Sequence, residues 1–256
     1  MEEVEARGRY SGNATANGVM VALRTLWNYR ADRDEAMPAS PTRRLKRNWF
    51  SVPRRERYVR ADQLPAFYAA VRGLENPVHR DYLLLLLFTG LRRREAASLT
   101  WDDVDMAAKV IKVPAPRTKA KRKLDLPMSD FVYGVFMERQ RLGRERYVFP
   151  ATGAAGFIQE PKFPLRQVAA ASGVAVSAHD LRRTFATVAE SAGVTPLQLK
   201  ALVNHAPPRD VTAGYVQIAV QALRAPAQRA ANKMKRLCGV APARAKNVVT
   251  MTSPAA

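Results

Sequence analysis

Ten residues, Tyr82 to Leu91, constrain this chain more than any others, because five consecutive leucines flanked by Tyr82 and Phe88 are apolar on every side of a helix. A helix of that kind must be surrounded. The run is about half of the roughly 20 residues that a bilayer crossing needs, and Arg92-Arg93-Arg94 follow it at once, so it reads as the buried centre of a globular core. Thr89-Gly90-Leu91 breaks it, and Val78 to Phe88 is the expected helix.

Periodicity places the rest of the core around it. Gln63 to Val71 reads as a helix with Asp62 as its cap, and Arg93 to Leu99 as a short one. Val110 to Val113 and Lys123 to Pro127 read as two antiparallel strands. Downstream the spacing predicts helices over 131–141, 164–171, 179–192, 196–203, 211–216 and 220–237, with Thr195-Pro196 a cap followed by proline at the first helical position. The class is therefore mainly α with a small antiparallel β-sheet (α+β). Near the start, Val19, Leu23, Leu26 and Trp27 form one stripe of an amphipathic helix over 15–29, with Asn13 or Thr15 as cap.

Charge limits the partners. The sequence holds 42 Lys+Arg against 22 Asp+Glu, a formal net charge of +20, on a chain whose 47% hydrophobic residues can still bury a core. A polyanion is the natural partner. The stretch 41–60 carries eight basic residues and one acid, Glu56, and 109–123 carries seven basic residues and none, so Arg43, Arg44, Lys46, Arg47, Arg54, Arg55, Arg117, Lys121, Arg122 and Lys123, with Arg183 beside a candidate site arginine, are the expected phosphate-backbone contacts. One cysteine, Cys238, and an acidic start, Met1 to Glu5, argue for a reducing, cytoplasmic location without a membrane partner. The Ala/Pro/Thr-rich 239–256 reads as a disordered tail.

Six residues stand out as chemistry. Arg92 follows the helix break, Lys119 lies in the basic tip 117–122, His179 and Arg182 share one helix face at i and i+3, His205 sits in a loop, and Tyr215 follows ten residues later. Two arginine forks can hold both non-bridging oxygens of a phosphodiester as charge grows on them, the histidines can donate or move a proton, and a tyrosine can attack phosphorus. The rival cluster Glu95, Asp102, Asp103, Asp105 could hold divalent ions for a two-metal nuclease, although Asp102 and Asp103 lie where turn and capping roles are common. The three histidines lack metal-ligand spacing.

Read in order, Thr89-Gly90-Leu91-Arg92-Arg93-Arg94-Glu95, Thr118-Lys119, His179-Asp180-Leu181-Arg182-Arg183-Thr184, Asn204-His205 and Thr212-Ala213-Gly214-Tyr215 resemble the successive signature boxes of the tyrosine recombinases, the phage integrase family, over about 60–237. Two departures are visible: Asn204 stands where the family more usually has glycine, and the segment from His205 to Tyr215, with Pro207-Pro208, looks a residue longer than common. The resemblance implies that Arg92 and Arg182 clamp the scissile phosphate, that Lys119 is the general acid, that His179 helps move the nucleophile's proton, that His205 supports a phosphate oxygen and that Tyr215 is the nucleophile. It implies a site-specific recombinase working on double-stranded DNA without metal, ATP or another cofactor, as a homotetramer on DNA that can be monomeric when free, with room for accessory DNA-bending proteins and with 220–237 docking on a neighbouring protomer. It also implies a layout: 1–40 the remnant of an N-terminal helical core-binding domain, shorter than the family usually has, 41–60 a basic linker, 61–238 the catalytic domain, 239–256 the tail. A type IB-like topoisomerase and a degenerate DNA-binding module that no longer cuts are the alternatives.

Overall fold

The protein is described by a computed structural model covering residues 2–43, 49–53, 56–119, 121–143, 145–205 and 219–240. The chain divides into two compact units, Met1–Glu56 and Arg57–Ala256.

In the first unit α1 runs over Glu2–Ala31. It starts well before the expected cap at Asn13 or Thr15, because the Glu, Ala and Arg of its first turns favour helix without leaving an apolar stripe to read. After Pro38 and Pro41 the chain returns along it. Trp27 donates from Nε1 to the Pro38 carbonyl at 3.0 Å, and Asn17 makes a two-way pair with the Phe50 backbone at 2.9 and 3.2 Å. Val19 and Leu26, 60% and 68% exposed, are left uncovered within this unit, so the expected stripe is split and only its Trp27 side is packed. Arg43 is exposed here; Arg44, Lys46, Arg47, Arg54 and Arg55 lie outside the described residues.

The second unit is built around α3, Pro77–Thr89, in which every residue from Asp81 to Thr89 is buried. Asn76 caps it by accepting from the backbone N–H of Val78 and His79, and Pro77 opens the first turn, where its missing N–H costs nothing. Against α3 pack α2 (Leu64–Arg72), α5 (Asp130–Arg141), α7 (Ala178–Ser191) and α9 (Val220–Leu237). At its end Phe88 stacks on Phe131 of α5 with centroids 3.7 Å apart. Asp62 does not cap α2, as the sequence suggested. The cap position is Gln63, whose side chain accepts from the Arg60 backbone N–H, while Asp62 is taken by the Arg60 guanidinium at 3.2 Å.

The sheet has three antiparallel strands in the order β1 (Val104–Asp105), β2 (Val110–Val113), β3 (Leu124–Pro127), with Val104 opposite Ile111 and Val113 opposite Leu124. β1 is two residues long, too short for any alternation to show, and was not expected. Two short helices complete the unit beside α4 (Arg93–Ala97): α6 (Lys162–Ser172) and α8 (Pro196–Leu202), the latter opened by the Thr195/Gln198 capping box, a motif that contributes about 1 kcal/mol. The expected helix over 211–216 lies outside the described residues.

The α9 helix, expected to dock on a neighbouring protomer, has its apolar face packed within its own chain, where Leu223, Ala227, Ala230, Ala231 and Met234 are buried among α3, α7, α8 and β3. Small residues at those positions allow the close approach. Cys238 at its end is buried too, which raises its thiol to about 12 and leaves it inert. Among the described residues no helix is long and apolar enough to cross a membrane.

Candidate active site

The break after α3 is dictated by Gly90. Its φ of +64° lies in the left-handed region, and a Cβ there would sit 2.5 Å from Cδ1 of Phe185 on α7. The chain can therefore turn tightly against α7 before Arg92, which occupies the N-cap of α4. Glu95, three residues on and 2% exposed, reaches back: one carboxylate oxygen accepts from the Arg92 backbone N–H at 3.1 Å and the other from Nη1 at 2.9 Å. A buried carboxylate thus fixes both the backbone and the side chain of Arg92.

On α7 the Ser177/Asp180 capping box sets the first turn, so His179 and Arg182 project from one face. Arg182 donates from Nη1 to the Gly90 carbonyl at 2.7 Å and from Nη2 to the Val203 carbonyl at 2.5 Å. Burial and the neighbouring Arg92 charge bring its pKa down to about 10, still cationic at neutral pH. The His179 imidazole is held below its ordinary value, first by partial burial and then by the charges of Arg183, Arg182 and Arg92, with Asp180 opposing them. It is neutral at pH 7 and able to take a proton. One turn along, Thr184 accepts from the Val59 backbone N–H at 2.9 Å, which docks the entering chain onto α7.

His205 is placed by the end of α8. The His205 N–H donates to the Lys200 carbonyl at 2.9 Å and the Asn204 N–H to the Ala201 carbonyl at 3.2 Å, with Asn204 at φ +47° between them. This is a Schellman ending, whose left-handed residue is usually glycine and sometimes asparagine. Asn204 therefore meets the same backbone demand as the glycine more common there. The Val203 and Asn204 carbonyls, left over at the helix end, accept from Arg182 and Arg92 respectively, the latter at 3.1 Å.

Lys119 lies on a loop that is more ordered than a bare hairpin tip. A 3-10 turn, Ala115–Arg117, leads into buried Thr118, whose hydroxyl donates to the Arg122 carbonyl at 2.7 Å and accepts from the Arg122 N–H at 3.1 Å. The side-chain amide of Asn204 donates to the same carbonyl at 3.5 Å. Arg117 is turned inward onto Asp103 and the Ser98 carbonyl, so structure holds its charge as much as solvent does. Lys121 and Arg122 are exposed, Lys123 pairs with Asp125 at 2.9 Å, and Arg183 lies 3.4 Å from Asp180.

Arg92, Lys119, His179 and Arg182 line one cleft of about 1610 Å³. His205 is exposed at the end of the turn that anchors both arginines, and Tyr215 lies outside the described residues. The cleft also takes in Arg146, Lys162 and Arg166, which the sequence reading passed over; the i, i+4 spacing of Lys162 and Arg166 on α6 was the available signal. Lys162 and Arg166 carry no salt bridge among the described residues. The carboxylates of the rival cluster go separate ways: Glu95 to Arg92, Asp103 to Thr100 and Arg117, Asp105 to Lys112 at 2.8 Å. Among the described residues no group of three or more His, Cys, Asp or Glu is placed to hold a metal ion. Two guanidinium forks, an ammonium group and a neutral imidazole around one space are suited to a phosphodiester whose charge they can stabilise and whose protons they can move.

Known proteins share this arrangement of chain. The model of the phage integrase family matches residues 57–222, beginning where the second unit begins. Two Escherichia coli proteins are similar: prophage integrase IntF, 31% identical over 155 residues, and prophage integrase IntA, 28% identical over 167 residues. The matches cover 58% and 61% of this chain but 33% and 39% of theirs, so the chain spans between about a third and two fifths of the length of these relatives. In fold, the integrase of transposon Tn1549, solved with a circular intermediate DNA, matches at a TM-score of 0.63 and 19% identity, over 84% of this chain and 79% of that one. The XerH site-specific recombinase bound to its difH substrate matches at 0.59 and 18%, over 76% and 60%.

Proposed function

The chain belongs to the phage integrase family, and from that premise we propose that it is a site-specific recombinase that cuts and rejoins double-stranded DNA through a tyrosine ester. In this reading the Tyr215 hydroxyl attacks phosphorus, a P–O bond to tyrosine forms and the P–O5′ bond breaks. The tyrosine's proton passes to the neutral His179 imidazole, and the Lys119 ammonium protonates the departing 5′ oxygen. Arg92 and Arg182 each bind a non-bridging oxygen, with His205 assisting. The ester stores the energy of the broken bond, so the 5′ hydroxyl of another strand can attack it and reseal the DNA without a further energy source.

The observation that carries this reading is the convergence of Arg92, Lys119, His179 and Arg182 on one cleft, with both arginines held on carbonyls immediately before His205. Residues 61–238 form the catalytic domain in this proposal, 41–60 the basic linker, and 1–40 a helical piece that also contacts DNA. Four protomers assemble around two duplexes, with DNA-bending proteins as accessory partners.

The test is covalent trapping. The full chain is incubated with a pool of randomised duplexes nicked so that the cleaved end diffuses away, and protein–DNA adducts are isolated and sequenced. An adduct that forms in EDTA and disappears in Tyr215→Phe supports the reading; an adduct that survives Tyr215→Phe overturns the nucleophile. With the recovered site in hand, a two-site substrate yields exchanged products, and relaxation of a plasmid without exchange overturns recombination in favour of a topoisomerase.

A further inference from the structure

Asn204 occupies a position whose backbone requirement and side-chain contact can be separated. Its φ of +47° is open to glycine as readily as to asparagine, so the turn alone does not call for an amide. The residue is nevertheless 6% exposed, and its Nδ2 is directed to the Arg122 carbonyl at 3.5 Å. That carbonyl is also the acceptor for the Thr118 hydroxyl at 2.7 Å, and Thr118 immediately precedes Lys119. On its other side the Asn204 backbone carbonyl receives Nη2 of Arg92 at 3.1 Å. A continuous path therefore runs from the loop that presents Lys119, through Arg122 and Asn204, to the guanidinium of Arg92. Among the described residues the Asn204 amide is the link that closes this path, while Arg117, two residues before Lys119, separately ties the start of the loop to the Ser98 carbonyl and Asp103.

We propose that Asn204 is a positioning residue for leaving-group protonation, its amide bracing the Lys119 loop to the turn that anchors Arg92. The inference rests on the reading of Lys119 as the general acid. Without the brace the arginines keep their carbonyls and the phosphate its clamp, but the ammonium group is no longer held at the distance from the 5′ oxygen that proton transfer requires.

The experiment compares single-turnover adduct formation on two versions of the recovered site, one with the natural 5′ bridging oxygen and one with sulfur in its place. A thiolate is a far weaker base than an alkoxide and leaves without a proton, so the sulfur substrate is indifferent to the general acid. Asn204→Gly and Asn204→Asp both retain a residue that accepts the left-handed turn, and both remove the donor. Each is expected to slow cleavage of the oxygen substrate on the order of tenfold, and Lys119→Ala on the order of a hundredfold, with all three returning to near the unsubstituted rate on sulfur. Undiminished oxygen cleavage by Asn204→Gly and Asn204→Asp overturns the brace, as does an equal loss on both substrates, which would mark Asn204 as a support of the fold or of the arginines. If Lys119→Ala is not restored by sulfur, the general-acid reading itself fails and the inference falls with it, so the two failures are told apart by that one control.

Discussion

Arg92 and Arg182, ninety residues apart in the chain, hang on consecutive carbonyls: Nη2 of Arg92 on Asn204 at 3.1 Å and Nη2 of Arg182 on Val203 at 2.5 Å. Each fork is thus fixed along part of its donor set, and the remaining N–H groups are free to meet an oxyanion without first losing side-chain freedom. The geometry belongs to guanidinium, since an ammonium group cannot hold a carbonyl and a phosphate oxygen in a plane. Arg182→Lys is therefore expected to reduce single-turnover adduct formation by about a hundredfold or more while DNA affinity changes far less. Parallel losses in gel-shift affinity and cleavage rate would show that Arg182 only binds.

Gly90 is expected to resist substitution. An alanine there would be held at φ +64° with its methyl 2.5 Å from the Phe185 ring, two separate strains that together cost about 2–4 kcal/mol. Thermal unfolding of Gly90→Ala should drop on the order of 5–10 °C. An unchanged melting temperature would mean that α3 and α7 are not in contact at this point.

The acid limb of the cleavage profile should move with Arg183. His179 has a lowered pKa, so its imidazole stays neutral, and able to accept a proton, to a lower pH than an unperturbed histidine near 6.5. After burial, Arg183 is the largest cause. Removing its charge in Arg183→Gln raises the His179 pKa, and the rate then falls off at a higher pH than in the unsubstituted protein. His179→Gln should remove the limb altogether, and a limb that persists in that variant would belong to another group.

Lys162 and Arg166 should register in the salt dependence of binding. Each phosphate contact contributes a slope of about 0.9 in log affinity against log salt, so Lys162→Ala with Arg166→Ala should flatten the slope by about two if both meet DNA. An unchanged slope would place them away from the backbone.

The central helix and the start of α8 were readable from sequence because side chains encode them: five leucines between Pro77 and Gly90 fit a buried helix, and Thr195-Pro196 fits a helix start. Four of the six residues singled out, Arg92, Lys119, His179 and Arg182, line one cleft. What the sequence withheld was carried by the backbone or by choice among partners. The acceptors of Arg92 and Arg182 are main-chain carbonyls, which no residue type announces. Glu95 reads equally well as a metal ligand until its oxygens are found on Arg92, and Asp62 reads as a cap until Arg60 is found to hold it. α9 looks like an arm for a neighbour because amphipathicity marks a face to be covered without naming what covers it.

That the two arginines rest on carbonyls has a consequence for descent. Side chains at positions 203 and 204 can be exchanged without erasing the acceptors, provided the turn and its φ angles persist, because every amino acid supplies the same C=O. Anchors specified this way are set by the path of the chain, so residue types around them can change while both guanidinium groups keep their acceptors.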